Sequence, residues 1–169
     1  MMNSAMFFDF TVDSDSATVR VQRQFNAPSQ LVWKAWTTAE LLDQWWAPRP
    51  YQTKSKEMDF RSGGFWLYAM TGPEGDTHWC RADYSNVTPE TAYVAVDAFC
   101  DESGDNINRD FGRSTWNVSF DSNGDQTMVN IVITYDSAEQ MLKFIELGFK
   151  EGFTMALTNL DEYFEALGL

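Results

Sequence analysis

The sequence predicts an α+β fold in which one curved antiparallel sheet wraps around a long C-terminal helix. Three observations carry that prediction. Residues 17–25, "ATVRVQRQF", alternate apolar and polar side chains, the signature of a half-buried strand. Between Tyr51 and Tyr135 six further strand-like segments follow one another through short turns, as in an antiparallel meander. In the tail the period changes: Phe149, Phe153, Ala156, Leu157, Leu160, Phe164 and Leu167 recur at three- and four-residue steps on one stripe. The sheet therefore has six to seven strands, and two short helices follow the first.

Residues 1–16 are expected to form an N-terminal extension, in part a cloning remnant, and residues 17–169 a single domain. In the first strand Val19, Val21 and Phe25 oppose Arg20, Gln22 and Gln24. "NAPSQLVWKAW" opens a helix with Pro28 near its first turn, where a missing N–H costs nothing. Leu31, Val32, Ala35 and Trp36 form its apolar face. "TTAELLDQWW" makes a second short helix, capped by Thr37 or Thr38, that must stop before Pro48 and Pro50. "RSGG", "GPEGD", "TPE" and "DSNGD" separate the strands, and the longer "DESGDNINRD" at 101–110 is a candidate rim. A hairpin turning near Pro89 pairs Cys80 with Ala98 and leaves Cys100 as a diagonal neighbour. Ser137 with Gln140 resembles a capping box for a short helix, and the break before the long one falls near Gly148.

Composition narrows the function classes. A chain of 169 residues buries ~70% of its unfolded surface, enough for one core without staples. With 25 acidic against 12 basic side chains the formal net charge is -13, which argues against nucleic acid and anionic membranes. No apolar run approaches the ~18 residues of a membrane span. The N-terminus lacks a signal peptide's basic region, so the expected location is the cytoplasm, with both cysteines reduced. One histidine and two cysteines at spacings of two and twenty lack metal-ligand geometry. No phosphate loop, nucleophile elbow or paired-carboxylate spacing occurs, so neither metal nor cofactor is expected.

Four stretches occur in one order: "LVWKAWTTAELLDQWWAPRPY", "MDFRSGGFWLYAMTGPEG", "VTPETAYVAVDAFCDESG" and "YDSAEQMLKFIELGFKEGFTMALTNLDEYF". Together they resemble the helix-grip superfamily called SRPBCC, or START-like, in its branch similar to the heat-shock-protein-90 ATPase activator. The resemblance runs from Thr18 to Ala166. Its most specific pieces are Trp-Trp-Ala-Pro, the Arg-x-Gly-Gly turn into an aromatic strand, and Gly-Phe-x-Glu-Gly-Phe. Phe153 stands where relatives more often carry tryptophan. The resemblance implies a helix-grip fold with a cavity between sheet and helix. Relatives include lipid-transfer domains, plant allergens and aromatic polyketide cyclases, so the fold does not choose among functions. A chaperone partner is a further implied possibility, although the separate N-terminal domain of the eukaryotic co-chaperone has no counterpart in these 169 residues.

Alternation supplies the candidate lining. Trp66, Tyr68 and Met70 share one face of their strand, with Phe65, Leu67 and Ala69 on the other. His78, Cys80, Ala82 and Tyr84 align on the next strand, and Trp116 faces inward two strands on. The expected ligand-binding set is Trp45, Trp66, Tyr68, His78, Tyr84, Phe99, Trp116, Phe149 and Phe153. Trp45 is expected toward the cavity and Trp46 in a wedge between helices and sheet. Phe65 and Leu67 are expected to cover a second subunit, unless a loop or Phe7, Phe8 and Phe10 cover them. Asp97 is either solvated on the outer face or paired with Arg61, Arg81 or Arg113. Gly148 and Gly152 mark close packing or backbone open to the cavity, and Glu151 between them is placed either to close its mouth or to cap a neighbouring backbone. The expected function is binding of a small hydrophobic or aromatic molecule. The alternatives are a cyclase- or hydrolase-like enzyme using His78, Tyr84 or Asp97, and a chaperone ATPase accessory protein.

Overall fold

The computed structural model describes residues 6–169. Met1 to Ala5, which include the expected cloning remnant, lie outside the described residues. The chain runs β1 (Phe8–Asp13), β2 (Thr18–Phe25), α1 (Ser29–Thr37), α2 (Ala39–Trp45), β3 (Gln52–Met58) and β4 (Phe65–Thr71). It continues with β5 (Thr77–Thr88), β6 (Ala92–Cys100), β7 (Arg113–Asn123), β8 (Gln126–Thr134), α3 (Ala138–Glu146) and α4 (Phe149–Ala166). One eight-stranded antiparallel sheet has the order β1-β2-β8-β7-β6-β5-β4-β3. Seven of these strands are those expected. The eighth, β1, lies within the N-terminal extension and pairs with β2, Phe10 opposite Val21.

The helix-grip arrangement follows from periodicity. On β2, Val19, Val21 and Phe25 are fully buried while Arg20 and Gln22 face out. On β8, Val129, Ile131 and Ile133 repeat the pattern. Phe153, Ala156, Leu157, Leu160 and Phe164 of α4 join the same core, with the three- and four-residue spacing of one helical stripe. Arg23 is the charged intruder on this face, and it forms an ion pair with Asp161 of α4.

Local chemistry differs from expectation at several points. Thr38 is the first cap of α2 but makes no side-chain capping bond, and the Thr37 hydroxyl instead donates to Trp33 O. Ser137 does cap α3, accepting from Gln140 N at 3.1 Å. The reciprocal arm reaches one residue further back, since Asp136 N donates to Gln140 Oε1 at 2.7 Å. Gly148 begins α4 at φ 98°, with open space where a Cβ would stand. It therefore serves the turn by conformation rather than by close packing.

The β5–β6 hairpin corrects the expected cysteine geometry. The hairpin turns about Glu90, with Thr88 opposite Ala92, and a bulge between Ser85 and Thr88, with Asn86 at φ 50°, then shifts the register by one. Cys80 is opposite Phe99, and Cys100 is opposite Trp79. The two free thiols consequently lie on opposite faces of the sheet.

The outer face also departs from expectation. Leu67 and Ala69 are buried without a second subunit. The loop at Gly104 lies on Leu67, and the Arg81 guanidinium stacks 4.2 Å above the Phe65 ring. Asp83 holds both Arg81 and Arg113, and Arg81 also reaches Gly104 O at 3.4 Å. A loop, not Phe7 or Phe8, is thus the cover; those two phenylalanines are exposed. The premise for a homodimer through Phe65 and Leu67, an exposed apolar patch, is removed. No described helix is long and apolar enough to cross a membrane.

Candidate functional site

Between the sheet and the start of α4 lies a cavity of about 300 Å³. Four strands supply its floor in adjacent pairs: Tyr68 and Met70, His78 and Cys80, Asp97 and Phe99, Ser114 and Trp116. Tyr135 follows β8. Phe144, Leu147, Gly148, Phe149, Gly152 and Phe153 supply the opposite wall, and Trp46, Pro48 and Tyr51 complete it. Phe149 and Phe153 stack at 5.4 Å, one helical turn apart, and Trp116 meets both rings edge-on at 5.9 and 5.4 Å. Gly152 brings the helix backbone against Pro48, whose Cγ would stand 3.5 Å from an added Cβ.

The turn after α2 places Trp46 in this wall. Pro48 prevents the helix from continuing, and Asn159 of α4 satisfies the freed carbonyls of Trp45 and Ala47 at 3.3 and 3.0 Å. Trp46 Nε1 donates to Tyr68 Oη at 3.0 Å. Trp45 points the other way, 1% exposed, donating to Ala35 O at 2.9 Å. The expected roles of the two indoles are therefore exchanged. Adjacent helical positions diverge by about 100°, which separates the pair but does not say which member faces where.

Of the expected lining, Tyr68, His78, Phe99, Trp116, Phe149 and Phe153 stand around the large cavity. Trp66 and Tyr84 face the same side of the sheet but bound a much smaller void of about 30 Å³ beneath α1 and α2. Glu151 is exposed and takes no part in the lining. Pro48, Tyr51, Ser114, Phe144 and Leu147 are lining residues that alternation did not single out. Ser114 was legible as the residue two before Trp116 on one strand face. The rest lie off the strands, where period-two reasoning has nothing to grip.

Asp97 is the unusual group. It lies on the inner face of β6, opposite Ala82 and Ser114, and lines both voids. Outer-face solvation is thereby excluded. The arginines considered as partners are engaged elsewhere: Arg61 with Asp59, and Arg81 and Arg113 with Asp83. Burial pushes its carboxyl up to about 7, against smaller lowering by the Ala98 backbone and Arg113. Its Oδ1 is buried and has no hydrogen-bond partner among the described residues. Burial, then Asp97 itself, pushes the Tyr68 phenol and the Cys80 thiol well above their ordinary pKa, so both stay neutral around it.

His78 is a rim residue, with its side chain 53% exposed and Nε2 3.4 Å from Asp76. Tyr51 donates to the same carboxylate, which holds the Asp76 carboxyl below its ordinary pKa and so favours its charged form. His78, Tyr84 and Asp97 form no hydrogen bonds with one another among the described residues. No group of three or more metal-binding side chains occurs among those residues either.

Comparison with known proteins supports the same architecture. Protein Ms6760 from Mycobacterium smegmatis is 26% identical, with TM-score 0.86 over 96% of this chain and 99% of its own. A protein from Arthrobacter aurescens is also 26% identical, with TM-score 0.85 over 90% and 88%. The AHSA1 protein of Silicibacter pomeroyi shares the fold at 19% identity, with TM-score 0.69 over 90% and 100%. No curated protein matches the sequence. The family model described as "Activator of Hsp90 ATPase homolog 1-like protein" matches residues 26–165, spanning α1 through nearly all of α4. With the helix-grip sheet around α4 and a match over most of its length, the chain belongs to this family of Hsp90 ATPase activator homologue-like proteins.

Proposed function

We propose that the protein binds one small hydrophobic or aromatic molecule in the cavity between the sheet and α4. The observation that carries this reading is an apolar void of about 300 Å³ whose wall concentrates Trp46, Trp116, Phe149 and Phe153. Such a volume matches the lower end of small-molecule sites, which are apolar with a few placed polar groups. Burying the ligand's apolar surface contributes ~25 cal/mol per Å². The neutral phenol and thiol beside Asp97 add no charge of their own to the wall. The two free cysteines fit a reducing compartment, the cytoplasm.

Two wall tryptophans supply the assay. Titration with neutral lipids and aromatic compounds should produce saturable quenching or shift of tryptophan emission, together with a raised melting temperature. Silence in both readouts across the panel overturns the proposal. A cyclase- or hydrolase-like activity calls for two acid–base side chains in contact, and Asp97 has no such partner among the described residues. Stimulation of a chaperone ATPase is the readout that would favour the accessory-protein alternative.

A further inference from the structure

We propose that the cavity selects hydrophobic molecules carrying one hydroxyl group, held between the Asp97 carboxyl and the Trp116 indole N–H. This rests on the ligand-binding reading above and names the ligand's chemical class. Asp97 Oδ1 and Trp116 Nε1 are both buried without a hydrogen-bond partner among the described residues. The other orphaned atoms belong to Trp36, Thr53, Arg113 and Asn159, none of which lines the large cavity. Asp97 and Trp116 also share the wall between the large and small voids.

Their register makes them a pair. Asp97 is opposite Ser114 and Ala95 is opposite Trp116, so the two are diagonal neighbours on one sheet face. Both polar atoms are sealed beneath the wall, so a ligand meets them by turning the two side chains, whose diagonal Cβ atoms lie ~7–8 Å apart or closer. One orphan accepts and the other donates. A hydroxyl meets both at once, donating to the carboxylate and accepting from the indole. An ammonium can donate to Asp97 but has no lone pair for Trp116. A carboxylate can accept from Trp116 but brings like charge to Asp97. The remaining indole of the wall, Trp46, is already matched by Tyr68 Oη. An unmet buried polar group carries its full desolvation cost, so a ligand that satisfies both is favoured over its hydrocarbon analogue.

The test uses three probes of one shape, 4-propylphenol, propylbenzene and 4-propylbenzoate, at pH 8. Affinities are read by competition with the neutral fluorophore N-phenyl-1-naphthylamine. The phenol should bind at least ~10-fold more tightly than either analogue. In Asp97→Leu that preference should collapse toward unity while propylbenzene binding persists. Trp116→Phe should reduce the preference while leaving the fluorophore bound. Melting curves establish that both variants are folded, and agreement of the two variants guards against one of them misfolding. Equal affinities for phenol and propylbenzene, or an unchanged ratio in Asp97→Leu, overturn the hydroxyl proposal and leave the cavity reading standing. If neither the fluorophore nor any probe binds, both fall together.

Discussion

Trp45 and Trp46 stand side by side at the end of α2, yet Trp45 is buried in one half of the concave face while Trp46 stands at the seam between the two halves. Trp45 is enclosed, edge-on to Trp36 at 4.9 Å, in the half roofed by α1 and α2. There Trp33 meets Phe60, Tyr93 and Phe120 at 5.2–5.9 Å, and the void is about 30 Å³. Trp46 borders that void too and reaches the other half, roofed by α3 and the start of α4, where the void is about 300 Å³. Both halves are rich in aromatic rings. What separates them is coverage: two short helices close one half with indoles, while Gly148 and Gly152 leave the other thinly filled. Aromatic richness alone does not distinguish a core from a pocket.

The largest expected effect breaks the packed half. Trp36 is 2% exposed and meets Trp45, Trp46, Phe120 and Phe153 edge-on. Trp36→Ala should destabilise by ~3–5 kcal/mol in urea denaturation, because the surrounding rings cannot all collapse into the gap. A loss below ~1 kcal/mol would mean that this half is as loosely filled as the other.

Next in size is Asp97, which charges the boundary between the halves. Burial raises its folded-state carboxyl to about 7 from an ordinary value of 3.8. The folded protein therefore holds a proton that the unfolded chain releases, and stability falls as pH rises from about 4 to about 7. Above that window the penalty is complete. Asp97→Asn should raise stability at pH 8 by something on the order of 2–4 kcal/mol and give no gain at pH 4. Equal effects at the two pH values would show that Asp97 is paired or solvated.

How much of this was legible depends on what period and spacing encode. Alternation marks the face of a strand, and it placed Trp66, Tyr68, Cys80, Tyr84 and Trp116 on the inner side. It does not encode position along the strand. Trp66 and Tyr84 therefore fall under α1 and α2, while His78, at the far end of β5, reaches the rim. The β5–β6 register needed the bulge at Asn86, whose positive φ no apolar pattern announces. β1 was the opposite case: Phe8, Phe10 and Val12 alternate with Asp9, Thr11 and Asp13. That signal was present but short, and it adjoins residues with no pattern of their own. The covering of Leu67 by Gly104 depends on a loop about forty residues away, which only the folded chain brings near.

A smaller effect is expected where the void already exists. Phe149 is partly buried and lines the cavity between Phe153 and Trp116. Phe149→Ala should cost ~1–2 kcal/mol, less than a fully enclosed aromatic, because one side of the ring already lacks neighbours. The cavity should widen, and bulkier aromatic ligands should gain affinity relative to small ones. A cost matching Trp36→Ala would erase the distinction between the halves.

The smallest change separates the two neighbouring indoles themselves. Trp46→Phe keeps a ring in the wall but removes the N–H that Tyr68 Oη accepts at 3.0 Å. The net loss of one such bond is about 1 kcal/mol, so the melting temperature should move little. The freed Tyr68 hydroxyl becomes a second polar contact for a bound hydroxylated molecule. Emission from position 46 disappears with the indole, and the ligand-dependent change in tryptophan fluorescence should shrink accordingly. Trp45→Phe removes an indole that donates to Ala35 O, away from the cavity, so the ligand-dependent change should persist. If Trp46→Phe left the response unchanged and Trp45→Phe abolished it, the ligand would occupy neither void that Trp46 borders.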